Sequence, residues 1–368
     1  MEDIYVTRPF LPPLEEVLPS LRTIWERKVL TNGGPFHQEL EEALARHLDV
    51  EHVCLFNNAT VALMAAMKVL DLKGEVITTP FSFVATSHSL LWNGLTPVFV
   101  DIDPVTLNLD PAKVEAAITP RTTALLPVHC YGTPCDVDAL EAIARRHGLK
   151  VVYDAAHAFG VRCHCGSLLR HGDLSVLSFH ATKVFNTFEG GAIICHDAET
   201  KRRVNQFKNF GHEGEVSVEA AGLNGKMSEF NAALGLVQLR HVDAAIDARR
   251  EIDARYREAL KDVAGIRCLG PSPQLSSNYS YFPILVGPGY PLSRDELYLK
   301  MKAARVHPRR YFHPLISEFP MYRELPSAGS AGLPVATEAS RQILCLPIYP
   351  DLTSAQLDRI IGLIRTVA

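Results

Sequence analysis

The stretch from Leu149 to Asp197 reads LKVVYDAAHAFGVRCHCGSLLRHGDLSVLSFHATKVFNTFEGGAIICHD and decides the predicted fold. It contains three apolar runs of strand length, at residues 151–153, 174–179 and 192–195. Short apolar runs bounded by polar and glycine residues are typical of buried strands. We therefore predict that this stretch forms strands of one sheet, with polar residues at the strand ends.

A carboxylate and an amine follow two of these runs. Asp154 ends the first run, and Lys183 lies just past the second. Pyridoxal phosphate needs an anion against its pyridine nitrogen and an amine for its aldehyde, and these residues could supply both. Taken singly, an Asp at a strand end usually caps a helix and a Lys past a strand usually faces solvent. The pair is more informative, because apolar Val184 and Phe185 follow Lys183 and would favour the neutral amine.

Three segments resemble a known family. They are DAAHAFG from Asp154, SFHATKVFNTFEGGAI from Ser178 and GLNGKMSEFNAALGLVQL from Gly222. In this order they resemble the signatures of the DegT/DnrJ/StrS family, fold-type I aminotransferases that act on nucleotide-linked keto-sugars. The resemblance covers nearly the whole chain. It implies an α/β fold, with a mostly parallel seven-stranded sheet in a large domain and a smaller C-terminal α+β domain.

Composition excludes several classes of protein. With 368 residues, of which 47% are hydrophobic and 21% charged, the chain can bury a large core and divide into a large and a smaller domain. Its formal net charge of -4 argues against a nucleic-acid partner. We find neither a secretory signal at the N-terminus nor an apolar run long enough for a membrane, and predict a cytoplasmic enzyme.

Apolar strand-like runs alternate with helical patterns from residue 52 to residue 180. This alternation predicts a mostly parallel sheet covered on both faces, in which ligands bind beyond the carboxyl ends of the strands. After Val242 a charged helical pattern begins. We therefore predict a large cofactor-binding domain with an N-terminal arm at 1–242, and a small domain at 243–368.

The cofactor phosphate has a predicted position at the start of a helix. A strand at residues 52–56 is followed by an apolar helix from Ala59, and backbone N–H groups at a helix N-terminus favour phosphate. Local sequence alone favours a simpler interpretation, in which Asn58 only caps the helix. The resemblance implies that Ala59 and Thr60 hold the cofactor phosphate.

The resemblance implies roles for five residues around the cofactor besides Ala59 and Thr60. Phe83 would stack on the pyridine ring, although core packing is the ordinary place for a Phe. His157 would line the cofactor face or bond its ring hydroxyl. Ser178 would bind the phosphate, and His180 would lie beside the cofactor, with a core histidine as the alternative. Lys183 would bind the aldehyde and carry a proton.

A homodimer with composite active sites is also implied by the resemblance. Asn224 would reach the cofactor phosphate of the neighbouring subunit, and Lys226 stands where Arg is common. The local alternative is a plain loop and a helix cap. For the substrate, the resemblance points to the turn containing Asn32 and Gly33, to Lys226, and to Arg310, whose guanidinium could bind a diphosphate or carboxylate. The alternatives are a plain connector for the turn and a solvated basic turn for Arg310.

Eight cysteines are scattered along the chain and are typical of reduced packing residues. Only Cys163-His164-Cys165 suggests a metal, with His157 and His171 nearby in sequence. The C-x-C spacing without a second cysteine pair is poor for structural zinc. We therefore predict a loop hairpin and no metal site.

The favoured function is that of an aminotransferase with L-glutamate as donor. The predicted acceptor is C4 of dTDP-4-keto-6-deoxyglucose, for amino-sugar biosynthesis of a lipopolysaccharide O-antigen or a related glycan. Alternatives are amination at C3 or of another nucleotide-linked keto-sugar. A non-catalytic regulator that binds the cofactor or a sugar is a second class, which the retained Lys183 disfavours. A zinc-dependent hydrolase using Cys163, His164 and Cys165 is a third.

Overall fold

The computed structural model describes residues 2–270 and 276–367. Within these residues the helices are α1 Leu14–Arg27, α2 Pro35–Leu48, α3 Ala59–Val69, α4 Ala85–Trp92, α5 Pro111–Val114, α6 Val137–His147, α7 Ala198–Phe207, α8 Glu229–Leu239, α9 Val242–Leu260, α10 Arg294–Ala303, α11 Pro334–Gln342 and α12 Ser354–Arg365. Side chains fix several of the starts. The Oδ1 atom of Asn58, for example, accepts the N–H of Val61 at 2.9 Å and begins α3.

The strands of the described residues are β1 Ile4–Tyr5, β2 His52–Phe56, β3 Glu75–Thr78, β4 Thr96–Phe99, β5 Thr122–Leu126, β6 Lys150–Asp154, β7 Arg162–Cys163, β8 Gly166–Ser167, β9 Leu174–Ser178, β10 Gly191–Cys195, β11 His212–Glu213, β12 Ser217–Val218, β13 Ile266–Cys268, β14 Phe282–Val286, β15 Val306–His307 and β16 Ile343–Leu346. Seven of them form one sheet, in the order β2-β10-β9-β6-β5-β3-β4. Strand β10 runs in the direction opposite to the other six strands of this sheet. The predicted mostly parallel seven-stranded sheet is confirmed.

Both faces of this sheet are covered, because successive side chains along a strand point to opposite faces. In β6, Val151 and Tyr153 pack into one apolar cluster with α2 and α6, whereas Val152 packs into another with α3. In β10, Ile194 packs into the first of these clusters and Ile193 into the second. The sheet is therefore held rigidly from both sides, which fixes the positions of residues at its strand ends.

A third apolar cluster is formed by the C-terminal third of the chain. It joins α9, α10 and α12 to the antiparallel sheet β13-β14-β16. Strand β1 pairs with β15 in parallel, so the first residues of the chain contact this C-terminal part. The predicted boundary between residues 242 and 243 falls at the start of α9 and stays a prediction.

No helix within residues 2–270 and 276–367 is both long enough and apolar enough to cross a lipid bilayer.

Candidate active site

A cavity of about 280 Å³ opens at the carboxyl edge of the large sheet. Asp154 and Ser178 are the last residues of β6 and β9, and Gly191 of β10 pairs with Ser178. Eight residues predicted from the sequence line this cavity: Ala59, Thr60, Phe83, Asp154, His157, Ser178, His180 and Lys183. Residues up to 124 positions apart in sequence are thus brought together, because parallel strands end at the same edge.

Lys183 supplies an amine to the cavity. Its Nζ donates a hydrogen bond to the Tyr281 hydroxyl at 3.2 Å. Burial lowers the pKa of Lys183 to about 8, against a smaller opposing effect of the Asp154 charge. A neutral amine is therefore far more accessible near neutral pH than for an exposed lysine, and a neutral amine is what attacks a carbonyl carbon.

Asp154 supplies a buried carboxyl group. Its side chain accepts a hydrogen bond from the Thr86 hydroxyl at 2.7 Å and another from the Ala156 N–H at 3.1 Å. Burial raises the pKa of Asp154, while these two donors and the Lys183 charge oppose the rise. Both donors are neutral, so the carboxylate keeps the capacity to pair with a cation in the cavity.

The start of α3 forms a polar end of the cavity. The N–H groups of Ala59 and Thr60 belong to the first turn and have no acceptor within the helix. Gly191 lets β10 approach this turn, because a Cβ atom at Gly191 would lie 2.7 Å from the Ala59 nitrogen. Asn58 does cap the helix, so the capping interpretation is correct, and the cap leaves the first N–H groups free for an anion.

The solvent exposure of Phe83 and His180 excludes the alternative that either side chain packs in the core. The side chain of Phe83 is 60% exposed while it lines the cavity, so it is not a core residue. His180 is also exposed, with Nδ1 2.8 Å from the Thr182 hydroxyl, so it is not a core histidine. Both side chains are placed to contact a molecule in the cavity.

His157, in contrast, is buried. Its Nδ1 accepts the N–H of Tyr131 at 3.1 Å, which leaves the proton of the neutral ring on Nε2. Burial lowers the pKa of His157 well below its usual value, and the charge of Lys183 adds to the effect. His157 is therefore a neutral hydrogen-bond donor at physiological pH.

The third sequence signature lies outside this cavity. Asn224 is exposed, and its carbonyl accepts a hydrogen bond from the Asn57 side chain at 3.4 Å, directly after β2. The Nζ atom of Lys226 donates to the Asn209 side chain at 2.8 Å and lies 4.7 Å from the ring centroid of Phe210. Neither side chain reaches the cavity of its own subunit.

The other three predicted substrate-binding positions do not line the cavity either. Asn32 and Gly33 form a turn with positive φ angles of 63° and 69°. Arg310 forms an ion pair with Asp295 at 2.8 Å and stacks 4.5 Å from the ring centroid of Tyr298. The side chain of Arg310 is thus held by α10, whereas the next two residues along the chain do line the cavity.

Sequence reasoning missed several residues of the site. Thr86 contacts the carboxylate, and Tyr281 contacts the amine. Thr86 lies three residues after Phe83, so the start of α4 could have indicated it. Tyr281 lies 98 positions from Lys183, and no local pattern connects the two. Further lining residues that were not predicted are Leu63, Ser82, Ala85, Val128, Ala156, Thr182, Glu189, Gly190, Tyr311 and Phe312.

An amine and a carboxylate at one cavity, on the carboxyl edge of this sheet, define the class of fold-type I aminotransferases. The chain belongs to the DegT/DnrJ/EryC1/StrS aminotransferase family, whose model matches residues 14–365. The predicted family and enzyme class are thereby confirmed. Enzymes of this family depend on pyridoxal phosphate, so the predicted cofactor is confirmed as well.

Similar proteins agree with this assignment. A dTDP-4-amino-4,6-dideoxy-D-glucose transaminase from Shigella dysenteriae is 54% identical over 364 residues, which cover 99% of this chain and 99% of the relative. The solved structure of DesI in the presence of its TDP-sugar product is 38% identical with a TM-score of 0.95, covering 100% of this chain and 93% of DesI. NtdA from Bacillus subtilis, solved with bound cofactor PMP, is 30% identical with a TM-score of 0.88, covering 96% of this chain and 81% of NtdA.

Proposed function

We propose that this chain transfers an amino group from L-glutamate to C4 of dTDP-4-keto-6-deoxyglucose. The product would be a dTDP-linked 4-amino-4,6-dideoxyglucose for amino-sugar biosynthesis. The similarity to the Shigella dysenteriae transaminase, over nearly the full length of both chains, supports this acceptor over a 3-keto sugar. The family and the retained Lys183 favour an enzyme over a regulator without turnover.

One observation carries the proposal: Lys183 and Asp154 line the same cavity. Bound pyridoxal phosphate supplies an aldehyde that takes up an amino group and a protonated ring that accepts electrons. Asp154 would keep the pyridine nitrogen protonated, because an adjacent buried anion favours the charged ring. Lys183 would bind the aldehyde at rest and then carry the proton that leaves the carbon of the amino donor.

The remaining lining residues would position the cofactor. Ala59, Thr60 and Ser178 would hold its phosphate through the first N–H groups of α3 and two hydroxyls. Phe83 would cover one ring face by offset stacking. The Nε2–H group of His157 would donate to the ring hydroxyl. These contacts restrict rotation of the ring, so that its reactive carbon stays beside Lys183.

A homodimer with shared active sites is part of the proposal. Asn224 and Lys226 lie outside the cavity of their own subunit, where a partner's site could use them. Phe188 and Phe230 are 41% and 38% exposed and stack on each other at 5.8 Å. This exposed aromatic pair joins the second signature to the third and supports a protein contact there. The turn at Asn32 and Gly33 would then complete the substrate side, and Arg310 would join it on leaving its ion pair with Asp295.

Hybrid dimers test the shared site. Lys183→Ala chains lack the amine, and Asn224→Asp chains would repel the partner's cofactor phosphate. If Asn224 serves the neighbour, mixing the two variants creates one site per dimer with both residues intact and restores up to about a quarter to a half of the activity. No gain over the unmixed variants would contradict the shared site.

The acceptor is tested by a half-reaction. The pyridoxamine form of the enzyme is mixed with nucleotide-linked 4-keto and 3-keto sugars, and the return of the aldehyde absorbance is followed. We expect dTDP-4-keto-6-deoxyglucose to restore it fastest. The opposite half-reaction, with L-glutamate and L-alanine as matched donors, tests the amino donor. A faster return with a 3-keto sugar would reject C4 amination.

A further inference from the structure

A second group of reactive side chains lies in the β7–β8 hairpin, away from the cavity. The Sγ atoms of Cys163 and Cys165 are 2.9 Å apart. The Nε2 atom of His171 lies 3.0 Å from the Cys165 sulfur and 3.5 Å from the Cys163 sulfur. Two thiols and one imidazole thus converge on one point, although their sequence spacing matches no common zinc motif.

Helix α6 orients the imidazole of His171. The carboxylate of Glu141 lies 3.0 Å from its Nδ1 and also accepts the N–H of Gly172 at 2.8 Å. An Nδ1–H bond to a carboxylate leaves the lone pair on Nε2, which faces the two sulfurs. Metal-binding histidines are commonly held in this way by a carboxylate, which fixes the ring and raises its basicity.

His164 supplies a fourth donor between the two cysteines. Its ligand atom and the sulfurs of Cys163 and Cys165 all lie within 4.8 Å of one another. Its Nε2 is 3.7 Å from the carboxylate of Asp138, which is also on α6. The side chain is 67% exposed, so it can turn toward the sulfurs without disturbing the core.

We propose that Cys163, His164, Cys165 and His171 form a zinc site. Two thiolates and two imidazoles in a tetrahedral arrangement are the donor set that structural zinc prefers. Zinc–sulfur bonds of about 2.3 Å would place the two sulfurs roughly 3.8 Å apart, so the hairpin opens by about 1 Å on binding. The ion would tie the hairpin to α6 through Glu141. This proposal replaces the prediction, made from the C-x-C spacing, that the hairpin binds no metal.

Protons compete with the metal at this site. Zinc binds the deprotonated thiolate, so binding releases protons and the apparent affinity rises with pH. The proposed site is structural: none of its four residues lines the active-site cavity within the described parts of the chain.

The test uses full-length holoenzyme, kept reduced and stripped of metal by a chelator. It is titrated with Zn²⁺ alone against a coloured competing chelator, and bound zinc is counted by elemental analysis after desalting. We expect one zinc per chain, and an affinity at least about 100-fold weaker in the Cys163→Ser/Cys165→Ser variant. Cys268→Ser, which removes a half-buried cysteine outside the group, is the matched control and should bind as the wild type does.

A second variant protects the test against misfolding of the double mutant. Glu141→Gln keeps both thiols and removes the charge behind His171, and should weaken zinc about 10–100-fold. His164→Ala should weaken it as well, and an unchanged affinity there would remove His164 from the site. A wild-type chain without retained zinc, or a double variant that retains one zinc per chain, would overturn the proposal. Turnover with glutamate should stay unchanged in the Glu141→Gln and His164→Ala variants.

Discussion

Two lysines near the large sheet, Lys208 buried and Lys183 partly buried, have different surroundings. The Nζ atom of Lys208 lies 3.3 Å from the Glu41 carboxylate and donates to the Leu55 carbonyl at 3.1 Å. Among the residues that the structure describes, the Nζ atom of Lys183 donates only to the neutral hydroxyl of Tyr281, at 3.2 Å. An ion-paired amine holds structure together, whereas a buried amine without such a partner loses its proton more easily. The comparison separates a structural lysine from a reactive one.

Removing the reactive amine should have the largest effect on activity. Lys183→Ala should abolish transamination and the yellow colour that borohydride removes, because no other amine of the described lining residues can bind the aldehyde. Pyridoxal phosphate can still bind through Thr60, Ser178 and Phe83. The measurements are the absorption spectrum and the turnover with glutamate.

Lys208→Met is the matched control for this change. It removes the other buried amine and should leave the colour and the turnover of folded enzyme near wild type. Full activity in Lys183→Ala, or loss of colour in Lys208→Met, would break the distinction between the two lysines.

Asp154→Asn should give the next largest loss. An amide is neutral and cannot pair with the protonated pyridine nitrogen, and losing one partner of a buried charge pair costs about 3–5 kcal/mol. A barrier raised by this amount slows kcat by roughly 10²-fold or more. Asp173→Asn changes a partly buried carboxylate that pairs with Lys150, away from the cavity, and should leave kcat unchanged. Turnover of Asp154→Asn within tenfold of wild type would reject this role.

The parts of the molecule that local sequence determines were predicted. Strands β6, β9 and β10 are continuous apolar runs because both of their faces are buried. Asp154 and Ser178 could be placed at one edge because parallel strands share their carboxyl ends. The family resemblance added Ala59 and Phe83, for which local sequence favoured other roles.

The parts that depend on distant contacts were not predicted. Tyr281 reaches Lys183 from the C-terminal third of the chain, and an ion pair with Asp295 turns Arg310 toward α10. The carboxylate of Glu141 meets His171 across 30 positions. Strand β1 has only two residues and no periodic pattern. Such contacts depend on tertiary packing, which propensity and spacing do not report.

Thr86→Val should have a smaller effect, because it keeps the Asp154 charge and removes one of its two donors. A hydrogen bond to a charged group contributes about 1.5–3 kcal/mol, so we expect a loss of kcat of roughly 10- to 100-fold. Burial raises the pKa of Asp154 and Thr86 opposes that rise, so the variant should lose activity at a higher pH on acidification. Thr86→Ser keeps the hydroxyl and should restore both the rate and the pH profile.

The smallest expected effect is on the free energy of unfolding. Replacing Lys183 by Met should raise it, whereas replacing Lys208 by Met should lower it. Burial lowers the pKa of Lys183 to about 8 from 10.5, so the folded protein binds the proton more weakly than the unfolded chain does. This cost is fully present below pH 8 and disappears as the pH rises toward 10.5. Lys183→Met should therefore raise the free energy of unfolding of the cofactor-free protein at pH 7, by on the order of 1 kcal/mol.

Lys208→Met should instead lower this free energy, because the Glu41 carboxylate loses a buried partner. Urea unfolding at pH 7 and pH 10 measures both variants against the wild type. The gain from Lys183→Met should shrink between these two pH values, since the wild-type amine is already neutral in the folded protein at pH 10. A gain that grows with pH, or a loss at pH 7, would show that burial does not disfavour the charged form of Lys183. The amine would then be no more available for reaction than that of an exposed lysine.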